Sequence, residues 1–319
     1  MLSPLLFLVC GFILLGVGAE MLVSGSSKLA IRLGIPPLLV GLTIVAFGTS
    51  APELAVSLEA ASNGRSALAL GNVIGSNIAN IGLILGITAL IYPIPVEEKL
   101  FKQQIPLMIV ASLLLWLLLV DGDLDFLDGI ILVTGLLVFL IMSYRASSND
   151  RNETAEKSEL EQALAEVQTA PTLQSNILNI LLIVCGLVLL ISGSHVFVEN
   201  AITLAHLFGV SEAIIGLTIV AIGTSIPELA TSVIAAIRKQ PALAIGNVIG
   251  SNLFNILGIL GATSLISTIS ADQFSSIDML IMVGFACAVL PFAWTNLVLS
   301  RVEGVLLLCG YCAYIVYIV

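Results

Sequence analysis

Residues 41–60, GLTIVAFGTSAPELAVSLEA, return almost unchanged at residues 216–235 as GLTIVAIGTSIPELATSVIA. The match continues without a gap to residues 86 and 261, with 31 identities in 46 positions at a constant offset of 175. Its later part pairs ALALGNVIGSNIANI with ALAIGNVIGSNLFNI. A constant offset over this length indicates an internal duplication, so the chain contains two copies of one folding unit.

The composition of the chain indicates a membrane protein. Of its 319 residues, 58% are hydrophobic and 10% are charged, and the mean hydropathy is +1.13, which is well outside the composition of soluble domains. A spanning helix needs about 20 mostly apolar residues. The sequence divides into ten such runs, at residues 4–23, 37–62, 66–92, 103–120, 126–145, 176–201, 212–237, 241–268, 276–294 and 299–318. The formal net charge of −10 argues against nucleic acid as a partner.

Each copy contains five of these runs, and an odd number makes the second copy enter the membrane from the opposite side. The sequence therefore predicts an all-α integral membrane protein of ten transmembrane helices, built as two inverted five-helix repeats at residues 1–145 and 176–319. We expect predicted helices 2, 3, 7 and 8, which carry the duplicated motifs, to be broken and to form the core. Residues 146–175 are short and polar, which predicts a cytoplasmic linker.

The lysine and arginine residues predict the orientation, because basic residues in short loops stay on the cytoplasmic side. Ten of the eleven fall on one side of the predicted helices, and only Arg65 falls on the other. Both termini are therefore expected outside, with the linker inside, in the inner or plasma membrane of the cell.

Two acidic residues, Glu53 and Glu228, lie near the middle of predicted helices 2 and 7. An ionisable side chain at that depth costs about 2.5–3.5 kcal/mol on insertion scales, so it needs a partner. No Lys or Arg lies at a comparable depth in the predicted spans, and a bound cation would satisfy both carboxylates. The alternative interpretation is a pair of protonated or hydrogen-bonded packing residues.

A Gly-Thr-Ser-x-Pro run stands immediately before each glutamate, at residues 48–52 and 223–227. Proline removes a backbone donor and clashes with the carbonyl four residues back, so the helix kinks or unwinds and carbonyl oxygens lose their helical partners. These oxygens, the carboxylates and the hydroxyls of the run form an oxygen-rich set that suits hard cations. The hydroxyls belong to Thr49, Ser50, Thr224 and Ser225. An ordinary structural kink is the alternative.

Predicted helices 3 and 8 each carry a polar stripe with the spacing i, i+4, i+8. This spacing places the three side chains on one face of a helix, and we expect that face to lie against the broken helices. The stripes are Asn72, Ser76, Asn80 and Asn247, Ser251, Asn255. Asn77 and Asn252 lie one residue after each serine, so they are predicted to make packing hydrogen bonds.

Four other polar residues in the predicted spans are not included among the candidate cation ligands: Glu20, Glu59, His195 and Glu199. His195 aligns with Glu20 at the offset of 175, so the two copies differ at this position. We interpret His195 as a packing residue, with a proton carrier as the alternative.

The motifs GTSAPE with GNVIGSNIAN, and GTSIPE with GNVIGSNLFN, resemble those of the sodium/calcium exchanger family of the calcium/cation antiporter superfamily, which has prokaryotic members. The resemblance covers both copies nearly end to end. It implies secondary active exchange of Ca²⁺ for Na⁺ by alternating access, with helices 1 and 6 sliding across the core. It also implies that Glu53 and Glu228 are the central Ca²⁺ ligands, shared with the Na⁺ sites. The other implied ligands are Thr49, Thr224, Ser76, Ser251, Asn80 and Asn255, with the backbone carbonyls of Ala46, Thr49, Ala221 and Thr224.

The chain departs from the family pattern at Asn80 and Asn255, because many members carry Asp at one of these two places. The site then has two carboxylates, and the stoichiometry stays open. Exchange of Ca²⁺ or another divalent cation for H⁺ is therefore the alternative, since two close glutamates could exchange one divalent ion for protons.

Other functional classes fit less well. One midplane site between inverted repeats favours alternating access over a channel, and the sequence has no HExxH helix or nucleophile elbow of a hydrolase. We therefore predict a transporter without a cofactor, whose partners are Ca²⁺, Na⁺ and lipid, with no evident protein partner.

Overall fold

The computed structural model describes residues 2–150, 173–208, 221–271, 276–294 and 297–318, and within them the chain is almost entirely helical. The main helices are α1 (Leu2–Leu33), α2 (Pro37–Thr49), α3 (Ala51–Ser62), α4 (Ala67–Ile91), α5 (Leu100–Asp121), α6 (Phe126–Asp150), α7 (Leu173–Leu207), α8 (Ile226–Ile237), α9 (Pro241–Ser264), α10 (Ser276–Trp294) and α11 (Arg301–Ile318).

Within these ranges, eight helices are long and apolar enough to cross a membrane, and the bent pair α2 and α3 makes a ninth. The predicted seventh span, residues 212–237, lies partly outside the described residues, and most of the predicted linker lies outside them too. The described part of the seventh span is α8, preceded by one short turn, Ala221–Gly223. The predicted all-α membrane architecture is confirmed.

The helices α1 and α7 are longer than predicted, with 32 and 35 residues. The signal that ends α1 is Gly34, with φ of +63°, followed by Pro36, and Gly34 lies eleven residues beyond the predicted end. The two helices pack antiparallel through glycines. A Cβ atom added at Gly18 would lie 2.8 Å from the Gly186 carbonyl oxygen, and one at Gly193 would lie 3.1 Å from the Gly11 carbonyl oxygen. Small residues at these points let the two backbones approach closely.

The buried centre of the protein is formed by α4 and α9. In their most apolar windows 72% and 94% of the residues are buried, against 17–39% in the other unbroken spans. The backbone of α2 rests directly on α9, because a Cβ atom at Gly250 would lie 2.5 Å from the Leu42 carbonyl oxygen. First-repeat and second-repeat helices therefore share one core.

The predicted break in the second span is present between α2 and α3, whose axes differ by 44°. Ser50 leaves the helical conformation, with φ −81° and ψ 6°, and Pro52 lies in the first turn of α3. The predicted third and eighth helices differ from expectation, because α4 and α9 run through without a break. Each contains a π-helical segment, Asn80–Leu85 and Phe254–Leu260. Neither segment contains proline, so the wider turn keeps its backbone hydrogen bonds.

Four two-residue strands, which the sequence analysis did not predict, join the two repeats. They are β1 (Ile94–Pro95), β2 (Asp123–Leu124), β3 (Ile269–Ser270) and β4 (Val298–Leu299). β1 pairs antiparallel with β4, and β2 with β3. At the offset of 175, β1 is the equivalent of β3, and β2 is the equivalent of β4. The two pairings are therefore related by the pseudo-twofold axis of the duplication.

Candidate cation site

The two glutamates of the duplicated motif lie in the first turns of α3 and α8, and both are completely buried. Each carboxylate is held by a hydroxyl of the other repeat. Ser50 Oγ donates to Glu228 Oε1 at 2.9 Å, and Ser225 Oγ donates to Glu53 Oε1 at 3.2 Å. The breaks therefore bring the two carboxylates to one place between the repeats.

Neither carboxylate forms an ion pair with a Lys, Arg or His side chain of the described residues. A buried charge without a partner is costly enough that the group takes up a proton or binds a cation instead. The described residues also contain no group of three or more His, Cys, Asp or Glu placed to hold a metal. A cation at this place would consequently depend on two carboxylates and on neutral oxygen atoms.

Six buried side-chain oxygen atoms around the breaks have no hydrogen-bond partner among the described residues. They form three pairs related by the offset of 175: Glu53 and Glu228 Oε2, Ser76 and Ser251 Oγ, and Asn80 and Asn255 Oδ1. An unsatisfied polar atom in a protein interior is uncommon and calls for an explanation such as a bound ion. All six atoms belong to residues of the predicted ligand set.

The threonines of the two runs make equivalent contacts across the repeats. Thr49 Oγ1 donates to Asn247 Oδ1 at 3.2 Å, and Thr224 Oγ1 donates to Asn72 Oδ1 at 3.3 Å. A hydroxyl has one hydrogen and two lone pairs. With the hydrogen directed at the asparagine, the lone pairs of each threonine oxygen are left free for another partner.

Asn72 of α4 and Asn247 of α9 also form hydrogen bonds to α3 and α8, the helices that follow the breaks. Asn72 Nδ2 donates to the Glu53 carbonyl oxygen at 3.3 Å and to Ser57 Oγ at 3.1 Å. The equivalent bonds of Asn247 are to the Glu228 carbonyl oxygen at 3.4 Å and to Ser232 Oγ at 3.0 Å. The polar stripes predicted the positions of these asparagines but not this role. Ser57 and Ser232 lie four residues after the glutamates, which is a helical spacing that could have indicated them.

One backbone carbonyl near each break, that of Ala46 and that of Gly223, has a hydrogen-bond partner in the structure. In the first repeat the Ala46 oxygen accepts the Ser50 N–H at 3.0 Å, and it lies 3.3 Å from Thr49 Oγ1 as an alternative acceptor to Asn247 for the single hydroxyl hydrogen. In the second, the Gly223 oxygen, which Pro227 cannot bond, accepts Ser194 Oγ of α7 at 2.9 Å. A helix outside the core thus replaces one of the hydrogen bonds that proline removes. Ala221 begins the short turn before this carbonyl.

The four acidic and histidine residues that were left outside the ligand set also lie outside this site. Glu20 pairs with Arg238 at the end of α8, with one hydrogen bond of 3.0 Å, and Glu59 is exposed. His195 and Glu199 pair along α7 at 3.2 Å, with side chains 73% and 63% exposed. The interpretation of His195 as a packing residue is therefore wrong, because its ring lies on an exposed face of the helix.

Comparison with known proteins places this geometry in a family. Residues 3–145 and 178–319 match the family described as sodium/calcium exchanger protein. The chain is 39% identical to the putative antiporter CaxA of Alkalimonas amylolytica, with 98% of each chain covered. It is 31% identical to the sodium/calcium exchanger MaX1 of Methanosarcina acetivorans, over 98% of this chain and 97% of the relative.

The fold agrees with a solved structure of the sodium-calcium exchanger NCX_Mj. The TM-score is 0.84 at 30% sequence identity, with 99% of each chain covered. Similarity of sequence and of fold thus extends over both repeats and includes the helices that carry the buried carboxylates. The chain belongs to the sodium/calcium exchanger family of membrane antiporters.

Proposed function

We propose that this antiporter exchanges Ca²⁺ for Na⁺ across the cell membrane by alternating access, with both ions using the site between the repeats. The observation that carries the proposal is the pair of buried carboxylates, which have no cationic partner in the described part of the chain and lie among neutral oxygens that have no hydrogen-bond partner there either. Ca²⁺ takes about 6–8 oxygen ligands in flexible geometry. The proposed side-chain ligands are Glu53, Glu228, Thr49, Thr224, Ser50, Ser225, Ser76, Ser251, Asn80 and Asn255, and the backbone ligands include the carbonyls of Ala46 and Ala221.

Charge balance supports the choice of these two ions. Two carboxylates neutralise one Ca²⁺ or two Na⁺, so either load leaves a low-dielectric site without net charge. MaX1 and NCX_Mj are both named as sodium/calcium exchangers. The same balance disfavours a co-transported K⁺, because Asn80 and Asn255 supply oxygen without charge.

The arrangement of α1 and α7 supports alternating access. The two helices pack on each other through glycines, and α7 contacts the core next to both breaks. A Cβ atom at Gly48 would lie 2.6 Å from the Leu187 side chain, and one at Gly223 would lie 2.7 Å from Val198. In our proposal the pair shifts as one body across these glycines and opens the site to either side.

Exchange of Ca²⁺ for H⁺ is a second candidate, because the same carboxylates would be neutralised by two protons. Radioactive Ca²⁺ uptake into proteoliposomes distinguishes the two, with an imposed Na⁺ gradient in one arm and an imposed pH gradient in the other, at clamped membrane potential. We expect the Na⁺ gradient to drive uptake, and K⁺ or choline as the background ion to make no difference. Uptake driven by the pH gradient and not by the Na⁺ gradient would refute Ca²⁺/Na⁺ exchange and support Ca²⁺/H⁺ exchange. No uptake in either arm would refute both candidate functions.

The orientation is also a proposal, with both termini outside. The loops after α3 and α8 are equivalent in the duplication, so inversion puts them on opposite sides of the membrane. In a variant without the five native cysteines, which are all exposed, Asn63→Cys should react with impermeant thiol reagents on intact cells. Lys239→Cys should react only with permeant ones. Labelling of both from one side would contradict the inversion, and the opposite pattern would reverse the orientation.

A further inference from the structure

Four buried asparagines connect the middle of α4 to the middle of α9. Asn80 of α4 donates its Nδ2 to Asn252 Oδ1 of α9 at 3.4 Å, and Asn255 of α9 donates its Nδ2 to Asn77 Oδ1 of α4 at 3.1 Å. Each of these side chains is at most 2% exposed. Each helix thus contributes one asparagine from the proposed ligand set and one that holds the ligand asparagine of the other repeat.

Two methionines complete the connection on the side away from the ligand asparagines. Asn77 Nδ2 donates to Met282 Sδ of α10 at 3.9 Å, and Asn252 Nδ2 donates to Met108 Sδ of α5 at 3.5 Å. Both methionines are 1% exposed. A thioether sulfur has no hydrogen to donate and can only accept. The asparagine beside each methionine must therefore direct the NH₂ end of its amide, and not the oxygen, at the sulfur.

This selection propagates along each series of residues. With its NH₂ group on the sulfur, Asn77 presents oxygen to Asn255, and only the NH₂ group of Asn255 can bond that oxygen. The Asn255 oxygen then points the other way, and it is one of the buried oxygens that have no hydrogen-bond partner among the described residues. The Asn80 oxygen, at the end of the series that begins at Met108, is another.

We propose that Asn77 and Asn252 are positioning residues that fix the orientation of the Asn255 and Asn80 amides, so that oxygen and not NH₂ faces the transported cation. The inference rests on the proposed cation site. An amide is nearly symmetric in shape, but its two ends have opposite polarity toward a cation. A flipped Asn255 would direct two N–H donors at the ion, which removes a ligand and adds repulsion.

The test is a double-mutant cycle on the full-length protein, with Ca²⁺ binding to purified protein measured by calorimetry and Ca²⁺ exchange measured in proteoliposomes. Asn77→Leu keeps the approximate shape and removes the acceptor for Asn255. We expect it to weaken Ca²⁺ binding about five- to tenfold, the typical worth of one buried hydrogen bond, and to raise the KM for Ca²⁺ with a smaller change in maximal rate. Asn252→Leu should act in the same way through Asn80.

The cycle separates positioning from a general packing effect. Asn77 is one helical turn from Asn80 on α4, whereas Asn255 lies in the other repeat. If Asn77 acts through Asn255, the effect of Asn77→Leu on binding disappears in an Asn255→Ala background and persists in an Asn80→Ala background. Asn252→Leu should show the reverse dependence. Equal effects in both backgrounds would overturn the inference, because they would indicate local disruption of α4.

A milder variant covers the case in which Asn77→Leu does not fold. Met282→Leu nearly conserves volume but removes the acceptor that selects the amide orientation. We expect about a threefold loss of Ca²⁺ affinity, since the Asn77–Asn255 bond can still form in either sense, and no further loss when Asn255 is already alanine. Unchanged Ca²⁺ affinity in Met282→Leu and Met108→Leu would overturn the inference. If the wild type exchanges Ca²⁺ but the effects of the paired mutations are additive, the positioning role is refuted and the proposed function stands. If the wild type binds no Ca²⁺, the proposed function is refuted as well.

Discussion

The side-chain hydrogen bonds that join the two repeats around the proposed site come in equivalent pairs, whereas the outer helices carry different polar side chains at equivalent positions. Ser50 holds Glu228 as Ser225 holds Glu53. On the outer helices, Glu20 of α1 pairs with Arg238 at the end of α8. The equivalent residues in the other repeat are His195 and Asn63. His195 pairs instead with a neighbour on its own helix.

The duplication constrains the protein mainly at the shared site. Each half of the site is completed by side chains of the other half, so a change in one repeat disturbs contacts in both. Among the described residues, Glu20 of α1 and His195 of α7 have no such reciprocal contacts, and at these positions the two copies have different charges. Symmetry is therefore kept where the two repeats share one buried site and is lost on the exposed faces of the outer helices.

The largest effect is expected when the symmetric carboxylates are changed one at a time. Glu53→Gln and Glu228→Gln keep the size of the side chain and remove half the carboxylate charge of the site. Each should lower Ca²⁺ exchange by about two orders of magnitude or more, because a buried cation loses a charged partner. Expression should survive, since the neutral side chain inserts more easily. Proteoliposome uptake is the measurement, and near-normal uptake by either folded variant would contradict the site assignment.

A smaller effect is expected where backbone from one repeat rests on the other. A Cβ atom at Gly250 would lie 2.5 Å from the Leu42 carbonyl oxygen, whereas one at Gly284 meets no atom of the described residues within 4 Å. Gly250→Ala should therefore destabilise the protein by about 1–3 kcal/mol. Gly284→Ala is the matched control and should be neutral or slightly stabilising, because alanine favours helix. Thermal unfolding in detergent compares the two variants. Equal melting temperatures would show that the contact between α2 and α9 can accommodate an added methyl group without loss of stability.

The smallest effect is expected at the asymmetric pair itself. The Arg238 and Glu20 side chains are 57% and 40% exposed, and exposed pairs contribute about 0.2–1 kcal/mol. Glu20→Gln should lower thermal stability only within this range, and it should have no further effect in an Arg238→Gln background. A loss as large as that of Gly250→Ala would indicate that the pair holds α1 on the core. Adding His195→Glu together with Asn63→Arg tests whether the other repeat can accept the same pair.

Helix positions were predictable from apolar runs, but helix ends and irregular turns were less so. The end of α1 was missed although Gly34 and Pro36 signal it, because Glu20 and Ser24 to Ser27 interrupt the apolar run earlier. The expected breaks in α4 and α9 are replaced by π-helical segments. A π-helical segment has no proline to mark it, and it depends on how neighbouring helices crowd the backbone.

The duplication, the membrane class, the break before each glutamate and the two carboxylates were all predictable, because each follows from local composition or from a comparison of the chain with itself. The hydrogen-bond and strand partners became known from the fold. Ser50 meets Glu228, Asn77 meets Asn255, and β1 meets β4, at separations of 178 residues or more. Such contacts depend on how two inverted units pack against each other, and no periodicity within one unit encodes that packing. An amide or a hydroxyl group has no preferred hydrogen-bond partner until the fold brings a donor or acceptor within reach and excludes water.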